Sequence, residues 1–248
     1  MFRKFLSLEW KAFFRSASFG SNLAMKIIMG FAADYFSICF LILGVAASYI
    51  LDESDLDPVA TVNRFMIYYV VFDLVFKLLL QKVPVINIRP FLVMPIKRGT
   101  IVNFAIGKMF FSFFNVMHWF FFVPFTIVLL IEGFSPAQVL FWYLGMMSLI
   151  YANNFLNILL NDKDYLFIIF LALLVGFGAM QYYGIFDITI YTAVFFDGIF
   201  NTLWVFLLPV LFFVGLYFAT YKYLVKAMYF DTGLSIKREH AKTEQFEW

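Results

Sequence analysis

The chain has 248 residues, of which 64% are hydrophobic, 23% aromatic and only 14% charged, with a formal net charge of +2. A soluble domain is about half apolar and a quarter charged, so this composition excludes a soluble globule and places the chain among all-α polytopic membrane proteins. The small net charge decides nothing; where the charges fall decides orientation. The single cysteine, Cys39, lies in an apolar run and leaves no intrachain disulfide to form. The first apolar run starts only near Ile27, is long enough to span and contains Asp34, which reads as an uncleaved first transmembrane helix and not as a secretory signal.

Residues 1–18, MFRKFLSLEWKAFFRSAS, repeat apolar side chains (Phe2, Phe5, Leu6, Trp10, Phe13, Phe14) at helical spacing with Arg3, Lys4, Lys11 and Arg15 mostly between them. They form an amphipathic helix that is too charged to span and lies in the interface. An elbow leading the chain along the cytoplasmic surface and a plain anchor both fit.

Residues 27–51 form the first expected span, followed by a loop bearing Asp52, Glu53, Asp55 and Asp57. Basic residues before it and none just after it put the N-terminus in the cytoplasm. Residues 65–80 form the second span, with Asp73 and Lys77 four apart on one helical face. Next comes a basic stretch, Lys82 to Lys108, with five cations (Lys82, Arg89, Lys97, Arg98, Lys108) and no acid; Pro84, Pro90, Pro95 and Gly99 break it into short pieces. A basic, broken and partly apolar loop reads as a structured cytoplasmic knob at the membrane surface.

Residues 109–131 form the third span, containing His118 and Pro124, and residues 139–160 the fourth, with Asn153, Asn154 and Asn157 in its inner half. Residues 165–180 form a short fifth span. The stretch 181–202 is aromatic and is interrupted by Gly184, Asp187, Asp197 and Gly198. It reads as outer-side helices that lie in the interface or dip back into the membrane. Residues 203–225 form the sixth span, Lys222 and Lys226 mark its cytoplasmic end, and 229–248 is a charged cytoplasmic tail. Of the 18 basic residues only Arg64 is placed outside and Lys77 within a span, an asymmetry that supports the topology independently of hydropathy. No linker divides the chain, so 1–248 is a single transmembrane domain with both termini cytoplasmic.

An ionisable side chain within a span costs about 2.5–3.5 kcal/mol on insertion scales, so each needs a reason. Asp73 and Lys77 fit either a mutually neutralising structural pair or a pair lining a substrate path. Asp34 has no partner in its own span and faces either Lys77, the Lys26 end or a polar cavity. His118 fits a neutral packed histidine bonding across helices, or a proton relay or ligand. The three asparagines are interhelical hydrogen-bonding residues. Gly44 and Ser48, four apart, allow close helix packing. The sequence contains no phosphate-binding GxxxxGK[ST] loop, no HExxH and no GxSxG motif. With two histidines and one cysteine, a protein-built metal site is not expected, nor is an enzyme.

The order of parts — elbow helix, six spans, a basic loop between spans two and three, outer helices between five and six — resembles the permease subunit of ABC-2-type ATP-driven exporters. The segment Phe91-Leu92-Val93-Met94-Pro95-Ile96-Lys97-Arg98, followed by Gly107-Lys108, resembles that family's leucine, proline, apolar, small residue, arginine pattern and its glycine-lysine entry to span three; Lys97 stands for the small residue and Met94 for the leucine. Over its whole length, through FRKFLSLEWKAFFRSASF, INIRPFLVMPIKRGTIVNFAIGK, QYYGIFDITIYTAVFF and IKREHAKTEQFEW, the chain is similar to an uncharacterised family of ABC-2-like permeases of Bacteroidota. Members of that family continue into a second membrane half, so the resemblance implies an N-terminal half.

The resemblance implies that Arg89, Pro90, Pro95, Lys97, Arg98 and Lys108 belong to a coupling loop docking on a separate cytoplasmic ABC ATPase. It also implies a second permease half or homodimer partner, the bacterial inner membrane, and ATP used by the partner, with no cofactor on this chain and no nucleic acid. A non-transporting membrane scaffold or assembly factor of the same fold is the alternative.

Overall fold

The computed structural model describes residues 23–81, 97–161 and 164–244. Among these residues there are eight α-helices and no strand: α1 Leu23–Glu53, α2 Pro58–Leu80, α3 Arg98–Phe110, α4 Phe113–Ile131, α5 Pro136–Asn161, α6 Asp164–Tyr182, α7 Ile188–Asn201 and α8 Leu207–Glu244. The expected elbow at 1–18 and most of the basic stretch, 82–96, lie outside the described residues.

Five helices are long and apolar enough to cross a membrane, through the segments Asp34–Leu51, Pro58–Leu80, Phe113–Ile131, Pro136–Leu160 and Leu207–Lys226. The chain is therefore a helical membrane protein. α6 and α7 are apolar but shorter, over Phe167–Tyr182 and Ile188–Asn201, and a bilayer core of about 30 Å takes about 20 helical residues.

Local chemistry moves several boundaries from where hydropathy puts them. α2 starts at Pro58 and not at 65, because the Asp57 carboxylate accepts from the Ala60 N–H at 2.9 Å and Pro58 occupies the first turn. The expected span 109–131 is two helices. The chain breaks at Phe111 and Ser112, where three-residue bonds replace the α pattern: Phe111 N–H donates to Lys108 O at 3.2 Å and Ser112 N–H to Met109 O at 3.0 Å. Asn115 Nδ2 also donates to Met109 O at 2.7 Å, so a side chain satisfies a carbonyl at the end of α3. The charged tail expected at 229–248 is helical to Glu244, as a continuation of α8.

α5 lies at the centre and packs on α2, α4, α7 and α8, while α1 packs mainly on α4. Gly44 makes that contact possible: it is buried, and a Cβ there would collide with the backbone carbonyl of Phe121. One turn on, Ser48 is fully buried and its hydroxyl donates to Glu132 Oε2 at 3.2 Å. One apolar core, around Met66, Phe122, Phe125, Trp142 and Ile199, joins α2, α4, α5 and α7. A second, around Ile101, Phe104, Phe155, Ile158 and Leu224, joins α3, α5 and α8.

Candidate functional site

The strongest concentration of chemistry is a buried polar chain on one face of α2. Tyr69, Asp73 and Lys77 follow each other at four-residue intervals, which stacks them along that face. Lys77 is fully buried and Asp73 is 6% exposed. Lys77 Nζ donates to Asp73 Oδ2 at 2.8 Å and to the Ile150 carbonyl of α5 at 3.0 Å. From α5, Asn153 Nδ2 donates to Asp73 Oδ2 and to the Val70 carbonyl, each at 2.8 Å. From α4, His118 Nε2 bonds to Asp73 Oδ1 at 2.8 Å, and His118 Nδ1 bonds to the Tyr69 hydroxyl.

These contacts fix where the protons are. A carboxylate paired with a lysine ammonium only accepts, so His118 presents Nε2–H to Asp73. Its Nδ1 is then the acceptor, and the Tyr69 hydroxyl donates to it. The chain runs Tyr69 O–H to His118, His118 N–H to Asp73, and Lys77 back to Asp73, with one positive and one negative charge. Removing two ions from water costs several kcal/mol each, which only close geometry and filled lone pairs offset. Here Asp73 receives three donors, and the result ties α2, α4 and α5 together.

A second network lies one to two turns further along α2. Gln81 Nε2 donates to Asn154 Oδ1 at 3.3 Å, and Asn154 Nδ2 donates to Asn115 Oδ1 at 3.0 Å. Asn115 in turn holds the Met109 carbonyl at the α3–α4 break. Asn153 and Asn154 therefore do bond between helices, whereas Asn157 is fully buried and neither of its side-chain polar atoms has a hydrogen-bond partner among the described residues.

At the opposite end of α2, Asn63 Nδ2 donates to Asp197 Oδ1 of α7 at 2.8 Å and Trp142 Nε1 donates to Asn63 Oδ1 at 2.7 Å. Beside it, Asp187 caps α7 by accepting from the Thr189 N–H at 2.9 Å and the Thr189 hydroxyl at 2.6 Å, and Arg64 approaches it at 3.7 Å. The Thr189 hydroxyl and backbone N–H hold the Asp187 carboxyl below the usual carboxylate range, with Arg64 adding to the effect.

The structure thus joins Asp73, Lys77, His118 and Asn153 in one network and places Asn154 in the second, where the sequence had paired only Asp73 with Lys77. It leaves Asp34 out: that residue is exposed on α1, and the Lys77 ammonium is engaged by Asp73 and Ile150. Lys97 stands exposed just before α3, Arg98 begins α3, and Lys108 lies exposed in its last turn. Arg89, Pro90 and Pro95 lie outside the described residues. Sequence reasoning missed Tyr69, Gln81 and Asn115. Tyr69 and Gln81 carried a signal, since both continue the four-residue spacing of Asp73 and Lys77 on α2; Asn115 carried none.

Residues 9–248 match the model of DUF5687, a family of unknown function. The chain belongs to DUF5687. No curated protein and no solved structure matches it. In this DUF5687 chain the matched residues include every helix described above, from α1 to α8, and with them the whole polar chain on α2.

Proposed function

We propose that this DUF5687 chain is the transmembrane permease, or half of one, of an ABC-2-type ATP-driven exporter of the bacterial inner membrane, driven by a separate cytoplasmic ATPase. In this reading α1, α2, α4, α5, α6 and α8 are its six spans, both termini are cytoplasmic, and α7 is an outer-side helix. The observation that carries the reading is α3. It is a 13-residue helix that leaves the basic stretch, stops at Phe111–Ser112 and packs on α5 and α8 through Ile101, Val102 and Ala105 instead of running on into α4. A helix offset in this way can be pushed as a unit by a partner that grips Lys97 and Arg98. The polar chain through Asp73 makes α2, α4 and α5 respond together. Rigid-body transmission of this kind is how packed helices carry a switch. The path opens where this half meets its partner half, and amphipathic molecules are the substrates that suit the apolar walls.

The test is to purify the tagged full chain in mild detergent and ask whether an ATP-hydrolysing subunit accompanies it. The expected result is copurification, with Lys97→Glu and Arg98→Glu releasing the ATPase while the chain keeps its helicity and monodispersity. If no ATPase accompanies the chain, or the charge reversals leave it bound, the coupling role is refuted. A second reading, a non-transporting scaffold or assembly factor, is favoured by one feature. The Tyr69–His118–Asp73–Lys77 chain is internally satisfied, as expected of structural glue.

A further inference from the structure

α1 packs more on α4 than on α2, its neighbour in sequence. Gly44 and Ser48 seat α1 on α4, and a cleft of about 700 Å³ lies between α1 and α2. Leu43, Ala46 and Ile50 line it from α1, and Phe65, Tyr68 and Phe72 from α2. Both walls belong to candidate spans. At one end the lining reaches Leu51 and Thr61, beside the turn between the helices. In that turn Glu53, Asp55 and Asp57 are exposed, and residues 52–63 contain no lysine or arginine. The nearest cation in sequence, Arg64, is engaged with Asp187 and Thr189. The cleft therefore joins an uncharged apolar body to an adjacent acidic turn, a combination complementary to a lipid whose head group ends in an ammonium and carries no net negative charge.

We infer that the α1–α2 cleft is a binding site for one phospholipid with an ammonium head group, its acyl chain between Ala46 and Phe72 and its amine at the Glu53–Asp57 turn. The acidic turn repels an anionic head group of the same size, which separates this site from ordinary lipid contact along the bundle. Tyr69 also lines the cleft, so the acyl chain lies against the phenol whose hydroxyl serves His118. The inference rests on the cleft and its charges and is independent of any ATPase.

The experiment uses the full chain in nanodiscs of phosphatidylethanolamine and phosphatidylglycerol with identical acyl chains, in equal amounts. After release, native mass spectrometry counts the lipids retained. One phosphatidylethanolamine per chain is expected. Ala46→Trp displaces at least two methylenes and weakens retention about tenfold, since each buried methylene is worth about 0.8 kcal/mol and 1.4 kcal/mol is a factor of ten. Glu53→Gln with Asp55→Asn removes the preference for the amine; asparagine tolerates the positive φ of 55° at position 55. On the unaltered chain, a phosphatidylethanolamine carrying a photoreactive acyl chain labels Ile50, Phe65, Tyr68 or Phe72, so the inference is decided even if a variant does not fold. Equal retention of the two lipids, unchanged retention in Ala46→Trp, or labelling spread evenly over α6 and α8 overturns it. Since ATPase copurification is read separately, this inference and the exporter reading fail independently.

Discussion

Replacing Lys77 with methionine keeps the length of the side chain and removes the cation bonded to Asp73. Two bonds are lost, to Asp73 Oδ2 at 2.8 Å and to the Ile150 carbonyl at 3.0 Å, and an anion stays in a site that is 6% exposed. Breaking a buried pair from one side costs about 3–5 kcal/mol, because the remaining charge is uncompensated. Asn153 and His118 still donate to Asp73, which keeps the cost at the lower end, about 3 kcal/mol. Converting Asp73 to asparagine in the same chain removes the stranded charge. The double variant Asp73→Asn, Lys77→Met should then lose only about 1 kcal/mol, in the range of an ordinary hydrogen bond between spans. Equilibrium unfolding in bicelles, followed by tryptophan fluorescence, gives the four free energies of the cycle. The coupling expected between the two sites is at least about 2 kcal/mol. Additive losses, or a Lys77→Met chain within about 0.5 kcal/mol of the parent, the range of a surface substitution, would refute the view that this pair ties the spans.

Four more outcomes follow from the geometry. Tyr69→Phe strands the Nδ1 acceptor of His118 and should cost about 1–3 kcal/mol in the same unfolding assay. Nitrogen NMR of the parent chain should find His118 as the Nε2–H tautomer; an Nδ1–H tautomer would reverse the proton order deduced above. Gly44→Ala pushes a methyl into the Phe121 carbonyl and should destabilise the chain by about 1–3 kcal/mol as an overpacked contact, whereas Gly176→Ala, with open space around it, should not. Asp187 gives a pH dependence. Its carboxyl is held low in the folded chain, so the stabilisation is present above the ordinary carboxylate value of about 3.9 and is lost as pH falls below that. Hydrogen exchange of α7 amides should accelerate over that acidic window, and Asp187→Asn should abolish the change.

The sequence made some of this legible because the information was local. Asp73 and Lys77 declare themselves by spacing on one helix, and Gly44 with Ser48 by the small-residue step, and both pairs do in space what the spacing implies. What connects His118 to Asp73 is the placement of α4 against α2, which no periodicity within either helix encodes. The α3–α4 break was invisible for a different reason. Met109 to Phe114 contains neither glycine nor proline and is apolar but for Ser112, and the turn is held by a side chain, Asn115, reaching back to Met109. Asp34 stands apart: its apolar run left Lys77, the Lys26 end or a polar cavity as its surroundings, and the structure puts it on an exposed face of α1 while Asp73 and Ile150 engage the Lys77 ammonium.

The contact between Gly44 and Phe121 also sets an order of assembly. α1 is made before α4, but its close-packing surface is shaped for α4, not for the helix that follows it. At about 5–20 residues per second, the chain from Gly44 to Phe121 takes on the order of 4–15 seconds to synthesise. For that interval α1 stands in the bilayer without the neighbour it is cut to fit. The cell must therefore shelter a half-built bundle before α4 arrives to close the seam. The insertion machinery and the surrounding lipid are the natural candidates for that task, which gives α1 a dependence on its surroundings that the finished bundle no longer displays.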